Sequence, residues 1–391
     1  MSLQHSIIRH LLTAPMSLAD LQLATQVSLP TLRRAVQVLA DAHWLRVVGQ
    51  AEANGGRPAM LFGVDDSLYA IIGVHLQLPG VRLILTDLTG QVLNEVERFD
   101  NMVPTPEECV QAVVGYVAEI KNTFSSRQVL GIGIATPGFI DLENGDILAI
   151  GRVPAWGSYP ICRRLQAALA LPVYIANDVD CMAFAELQDT HAPREANLAY
   201  VGFDEGVKFS LFLKGELYKG ALGNAGLIAP QLLCAPDLTA PDDLAQLLTI
   251  NGMNQLFALR LARLTTEMQA QYSAILAAAN PRERVQQMLV HADLPLCEAL
   301  VRDQIKALAA TIANMTLLVQ PDVVVIGGLL SALPAALFAV LETSLRGYLP
   351  ALVSHNTIIR QSKHNAQSSA ALGSTHHFLQ LYLTQANGEL A

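Results

Sequence analysis

The sequence predicts a small α+β head followed by a duplicated α/β body, and three observations carry that prediction. Residues 1–65 read as three short helices and a hairpin. Residues 70–99 and 198–220 then share one layout of strand, turn, strand, turn, strand. Each copy is followed by helical stretches and by further apolar runs, "VLGIGIATPGFID" and "LPVYIANDVD" after the first and "PDVVVIGGLL" after the second. A chain of 391 residues, 52% hydrophobic and 15% charged, is long enough for two or three cores and too apolar to be disordered.

In the head, "HSIIRHLLT" places Ile7, Ile8, Leu11 and Leu12 at helical spacing, and Pro15 breaks that helix. "SLADLQLAT" begins a second helix, with Ser17 and Asp20 spaced as an N-terminal cap pair. "QVS" makes a tight turn. Ser28 then caps a third helix, in which Pro30 is tolerated because it falls in the first turn. Leu29, Leu32, Val36 and Leu39 form its apolar stripe, and Thr31, Arg33, Arg34 and Gln37 line the opposite face. Two helices joined by so short a turn make a helix-turn-helix, although a bundle with a solvated polar face would read the same way. The strand "LRVVG", the loop "QAEANGG" and the returning strand "RPAMLFGV" add the hairpin of a winged helix. Arg33, Arg34 and Gln37 are therefore candidates for base edges and Thr31 for a phosphate or a thymine methyl, while Arg57 at the wing tip suits the minor groove.

Charge supports this division only weakly. Residues 1–65 hold five Lys/Arg against four acids, a net +1, and the remainder of the chain carries −10. A nearly neutral head on an acidic body is compatible with a nucleic-acid partner for the head alone. The five cysteines (Cys109, Cys162, Cys181, Cys234, Cys297) are scattered without C-x-x-C spacing, which fits reduced, buried thiols in the cytoplasm. "IRHLLTAPMSLADL" is too short and polar for a signal peptide, and no apolar run of about 18 residues is present to span a membrane.

Two copies of a hairpin-rich strand unit, each with helices and parallel strands, form the layout of the actin-like, hexokinase-type (ribonuclease H-like) fold, with a cleft between halves. Here a resemblance becomes specific. "GGRPAML", "GIGIATPGFID", "LPVYIANDVDCMAFAE", "KGELYKGALGNAG" and "VVVIGG" occur in order, and with the head they span residues 5 to 375. On these motifs the chain resembles the ROK family (repressors, open reading frames, kinases), and its repressor branch. The resemblance implies a dimeric transcription factor for carbohydrate genes that answers to a sugar or to a partner protein.

Departures from the family pattern bear on the chemistry. The kinases' first hairpin carries an Asp-x-Gly-Gly-Thr type loop; His75 to Gly80 here lacks both the Asp and the Thr, and Pro79 removes a donor. Where the second hairpin would offer a glycine-rich phosphate loop, Asp204 and Glu205 stand instead, and like charges repel polyphosphate. Phosphoryl transfer rests on positioning and electrostatics, so no kinase activity is expected. The family's Gly-Glu-x-Gly-His sugar segment reads Gly226 to Pro230, with Leu227 at the Glu position and Pro230 at the His position. The cysteine-rich zinc segment is reduced to Cys234, and one thiol cannot build a tetrahedral site. The pair His376–His377 lacks partners at metal-ligand spacing, so neither a metal nor a cofactor is expected.

The resemblance leaves Gly138, Asn177, Asp178 and the Trp156 region as effector-site candidates. Arg152 stands where the family commonly has a sugar-binding Asn. Its bidentate fork suits an anionic effector such as a sugar phosphate or sugar acid, or a structural ion pair with Asp178 or Asp180. Asp178 reads as a hydroxyl acceptor in a sensing pocket, or as a residue capped by neighbouring backbone. His43, Trp44, Met182 and Phe184 read as core or interface packing. The expected protein is a cytoplasmic repressor with a head at 1–65 and a sensor and dimerisation body at 66–391. It would bind a double-stranded DNA operator as a homodimer or a dimer of dimers, because one head reads too few base pairs. Two alternatives are a sugar kinase with an appended head and a regulator that answers only to a protein partner.

Overall fold

Two five-stranded sheets with the same internal plan dominate the computed structural model. It describes residues 2–52, 58–100, 102–150, 153–203 except 190–196, 206–228, 232–233, 242–243, 249–364 and 368–385. The first sheet runs β10-β7-β4-β5-β6, built from β4 (Tyr69–Leu76), β5 (Val81–Asp87), β6 (Val92–Arg98), β7 (Gln128–Thr136) and β10 (Val173–Asn177). The second runs β13-β12-β11-β16-β17, built from β11 (Leu198–Phe203), β12 (Val207–Leu213), β13 (Glu216–Leu217), β16 (Val323–Gly328) and β17 (Ile358–Gln361). In each, an antiparallel meander is followed by two strands that add in parallel beside its first member. Parallel additions need crossover connections, which the intervening helices supply. The duplication expected from the two hairpin stretches is thus present strand for strand.

The chain divides into two compact units, residues 1–188 with 370–391, and residues 189–369. In the first, one face of the sheet is packed by α4 (Pro106–Thr123) and α5 (Ile161–Leu169) around Ile72, Val74, Ile132, Ile134 and the fully buried Trp156. A small hairpin, β8 (Phe139–Asp141) with β9 (Asp146–Ala149), follows β7, and α6 (Asp178–Asp189) follows β10. In the second unit, five helices cover a large apolar core: α7 (Ile250–Leu261), α8 (Thr266–Ala270), α9 (Ser273–Leu276), α10 (Pro281–Val290) and the long α11 (Pro295–Val319). That unit also holds a two-residue bridge of β14 (Leu232–Leu233) with β15 (Asp242–Asp243), and two later helices, α12 (Ala335–Tyr348) and α13 (Ala351–Asn356). The closing helix α14 (Ser369–Gln385) returns to the first unit.

The head forms as its sequence requires. Helix α1 (Leu3–Leu11) buries Ile7, Ile8 and Leu11. Strand β1 (Met16–Ser17) precedes α2 (Leu18–Thr25), and Ser17 and Asp20 close a reciprocal capping box: the Asp20 N–H donates to Ser17 Oγ at 3.2 Å and the Ser17 N–H to Asp20 Oδ2 at 3.0 Å. Gln26 turns the chain in the left-handed conformation before α3 (Leu29–Asp41). Then β2 (Leu45–Gln50) and β3 (Met60–Val64) pair antiparallel, with β1 on the outer side of β3. The apolar side of the head is continuous with the back of the first sheet and with α14: Ile7, Leu21, Leu32 and Trp44 share one cluster with Tyr69, Ile71, Phe378 and Leu383.

Four cysteines, Cys109, Cys162, Cys181 and Cys297, are buried free thiols; Cys234 lies outside the described residues. Burial pushes the Cys109 and Cys162 thiols up to about 12, which leaves them unreactive. Among the described residues no helix is long and apolar enough to cross a membrane.

Candidate functional site

Two places carry chemistry-bearing side chains, the outer face of α3 and the corner where β7 and β10 end. Helix α3 is amphipathic because Leu32, Val36 and Leu39 fall on one stripe and enter the core; Leu29, at its first turn, is only half-buried. Thr31, Arg33, Arg34 and Gln37 are all exposed on the other side. Arg46, Arg82, Arg98, Arg163 and Arg164 each pair with a carboxylate. Among the described residues Arg33 and Arg34 make no such pair.

The other two polar residues of this face are partly engaged. The Ser28 and Thr31 hydroxyls are 2.8 Å apart, and the Thr31 N–H donates to Ser28 Oγ at 3.4 Å, so Thr31 belongs to the helix cap. The Gln37 amide donates to Asp41 Oδ1 at 2.8 Å across one helical turn. This leaves its carbonyl oxygen outward, an acceptor for an exocyclic amine. Arg57 lies outside the described residues.

The second place forms because strand and turn geometry converge. Thr136 and Asn177 are register partners at the ends of β7 and β10. Beyond Thr136 the chain turns through Pro137 and Gly138. Gly138 has φ +86°, and any Cβ there would strike the Ala149 carbonyl, so no other residue fits. Asn177, 5% exposed, donates from Nδ2 to the Gly138 carbonyl at 3.3 Å and accepts from the Val179 N–H at 3.1 Å. Asp178 Oδ1 accepts from that same N–H at 2.8 Å. Gly138, Asn177 and Asp178 are therefore brought together, at the carboxyl ends of parallel strands where α/β folds hold ligands. Asn177 fastens the corner, and Asp178, half-buried at the N-terminus of α6, faces favourable helix dipoles. Arg152 lies outside the described residues, as do Asp204, Glu205 and Pro230.

Two sequence readings need correction or refinement. Trp156 is fully buried and its indole N–H donates to the Pro104 carbonyl at 2.8 Å, so it supports the wall of the first unit from within. His43 is not packed in a core; its side chain is 60% exposed, and Nδ1 lies 3.5 Å from Asp65 Oδ2. Trp44, Met182 and Phe184 are buried, as expected. Sequence reasoning missed His75, buried at the end of β4 beside Ala135, because one polar residue in an apolar strand gives no periodic signal.

The loop between β4 and β5 also has a definite chemistry. The Leu78 N–H donates to the Gly80 carbonyl at 3.1 Å, the Gly80 N–H donates to the Met102 carbonyl at 3.0 Å, and Pro79 has none. The amides from 78 to 80 are thus spent. In the second unit, Gly226 is pinned by the Phe209 N–H donating to its carbonyl at 2.8 Å, and Leu227 follows, 41% exposed. Among the described residues no three His, Cys, Asp or Glu side chains cluster as metal ligands.

The fold and the corner at β7 and β10 define the class, a protein of the hexokinase-type duplicated fold. The family model for the ROK family matches residues 71–229 and 267–380, and the chain belongs to that family. Among its relatives, transcriptional regulator Mb0495 of Mycobacterium bovis is 27% identical over 316 residues, covering 78% of this chain and 69% of the relative. A putative xylose repressor of Caldicellulosiruptor sp. is 26% identical over 290 residues, covering 71% of this chain and 70% of the relative. Among solved structures, a ROK family transcriptional regulator described as a homolog of the E. coli MLC protein superposes with a TM-score of 0.79 at 19% identity, over 98% of this chain and 97% of its own. A ROK hexokinase from Thermus thermophilus superposes at 0.61 with 22% identity, over 82% of this chain and 100% of its own. The fold is therefore common to regulators and kinases, and local chemistry has to separate them.

Proposed function

We propose that the chain is a transcriptional repressor of carbohydrate-related genes, with a winged helix-turn-helix head at residues 1–65 and a sensor and dimerisation body at 66–391. The observation that carries this reading is the outer face of α3, where Arg33 and Arg34 stand exposed, without carboxylate partners among the described residues, beside Thr31 and Gln37. Unpaired arginines on a helix that follows a tight turn suit the major groove. Phosphate contacts and the bidentate fork of Arg on guanine would supply affinity and specificity, and two-fold pairing of heads would double the sequence read. The names of the relatives support the same reading. Selection of operator DNA from a genomic library by the purified protein tests it. A palindromic motif is expected with wild type and none with the double variant Arg33→Ala, Arg34→Ala; no enrichment with wild type would overturn the assignment of the head.

The body acts on this reading as a sensor without catalysis. What supports it is the loop of Leu78, Pro79 and Gly80, whose backbone donors are consumed or absent where a kinase of this fold would hold phosphate. The effector is a sugar or sugar derivative held near Gly138, Asn177 and Asp178, and Arg152 favours an anionic one. Thermal stabilisation by paired neutral and phosphorylated sugars separates these; a shift with neutral sugars alone rules out the anionic form. Leu227, exposed where the resemblance calls for Glu, favours the second reading of a regulator answering to a protein partner. A panel in which no sugar raises the melting temperature would favour that reading.

A further inference from the structure

The segments entering and leaving the Asn177–Asp178 corner both rest on one helix, α14. Upstream, Tyr174 of β10 lies against Phe378, with ring centroids 5.3 Å apart. Downstream, Phe184 of α6 lies against His377 at 4.9 Å, and Gly373 sits so close to the Cys181 carbonyl that a Cβ would collide with it. These contacts fall on successive turns of α14. Its next turn reaches the head: Tyr382 stacks on Phe378 at 5.7 Å and on Trp44 at 6.2 Å, with interplanar angles of 24° and 20°. Trp44, at the end of the helix-turn-helix, is completed by Tyr69 at 4.6 Å. A continuous row of packed rings therefore runs from Tyr174 of β10, three residues before Asn177, through Phe378 and Tyr382 to Trp44 of the head.

The row is built to pass on displacement. A Cβ at Gly131 or Gly133 of β7 would strike the Phe378 ring or the Ser374 carbonyl, so α14 rests on the strand through that ring at Gly131 and through its own backbone at Gly133. Close-packed interiors respond to such shifts by changing between discrete arrangements. Trp44 is the residue in this row whose polar group is left unsatisfied. It is 2% exposed, and its indole N–H finds no acceptor among the described residues. A buried, unsatisfied donor is costly, and any repacking that satisfies it is favoured by that amount.

We infer that α14 is the transmission element of this protein, with Tyr382 the positioning residue that passes a change at Asn177–Asp178 to Trp44 and the head. This rests on the proposed sensor function for its biological meaning, and its test is arranged so that the two fail separately. The chain has only two tryptophans, so Trp156→Phe leaves Trp44 as the sole reporter. That full-length protein is titrated with D-xylose, D-glucose and D-glucose 6-phosphate, reading thermal stabilisation for binding and Trp44 emission for the seam. Every sugar that stabilises the protein also moves the emission. Tyr382→Leu keeps the apparent sugar affinity within about twofold but loses the emission change, while Tyr382→Phe, which retains the ring, keeps both. Stabilisation with unchanged Trp44 emission, or a response that survives Tyr382→Leu, overturns the inference. Where no sugar stabilises, the sensor reading fails and a ligand-free arm decides the coupling. Asp178→Ala changes acrylamide quenching of Trp44 by about twofold or more, and adding Tyr382→Leu removes that change. Equal quenching with and without Asp178→Ala, or an effect that persists in the Tyr382→Leu background, overturns it.

Discussion

At the scale of single residues, the seam between head and body depends on how Asp65 is held. Burial alone would raise its carboxyl pKa, but hydrogen bonds from the Ser67 hydroxyl and N–H, contact with His43 and the charge of Arg46 together outweigh that and hold it below the ordinary 3.8. A carboxyl depressed in the folded state stabilises it above the unfolded value, and the gain disappears as pH falls through the folded value. Asp65→Asn should therefore unfold at lower urea than wild type at pH 7, by about 1–2 kcal/mol for lost charged hydrogen bonds. The gap should begin to narrow as the pH falls through 3.8 and close below the depressed folded value, where the wild-type carboxyl is also neutral. A gap that stays constant across that range would place the effect in packing instead. None of this was legible in "VDDSLY", since an Asp before a Ser reads equally well as any turn.

Elements were more legible than residues because their signals are local. The capping box of α2 is written within four letters, Ser17 to Asp20, and it forms as written. Ser17→Ala should cost about 1 kcal/mol, since the Asp20 N–H at the helix start loses its acceptor and the Asp20 carboxylate loses the Ser17 hydroxyl. Thermal unfolding followed by far-UV circular dichroism checks this, with Leu18→Ile, which leaves the cap intact, as the comparison. The hairpins were equally clear, as the turns at Asp87–Gly90 and Lys214–Gly215 each join strands that pair antiparallel. The face of α3 was readable only as a face. Thr31 and Gln37 use the same polar groups for capping and for the bond to Asp41 that they would use on DNA, and composition cannot tell the two uses apart. The shared core of Trp44 with Tyr382 was not legible at all, because residues so distant in sequence leave no periodic trace of their meeting.

At the scale of the whole molecule, duplication and charge point the same way while the family divides. Two sheets of matched plan give the fold of sugar kinases, and an acidic body of −10 beside a head of +1 would direct DNA toward the head alone. The decisive matter is whether Asp178, which the resemblance sets where a sugar kinase keeps its catalytic base, works as one. General-base catalysis contributes on the order of 10²–10⁴ to a rate, so a working Asp178 must reveal itself when neutralised. Phosphoryl transfer also needs donors on the phosphates, and the turn of Leu78, Pro79 and Gly80 offers none from its backbone. Sugar-dependent ADP release, measured across neutral hexoses and pentoses with ATP and Mg²⁺, should therefore equal the no-protein background, and Asp178→Asn should leave it there. A rate above background that falls by about 10²-fold or more in Asp178→Asn would return the protein to the kinases. A rate above background that is unmoved by that substitution would mean a contaminating sugar kinase, and would leave the proposed role of Asp178 as a hydroxyl acceptor untouched.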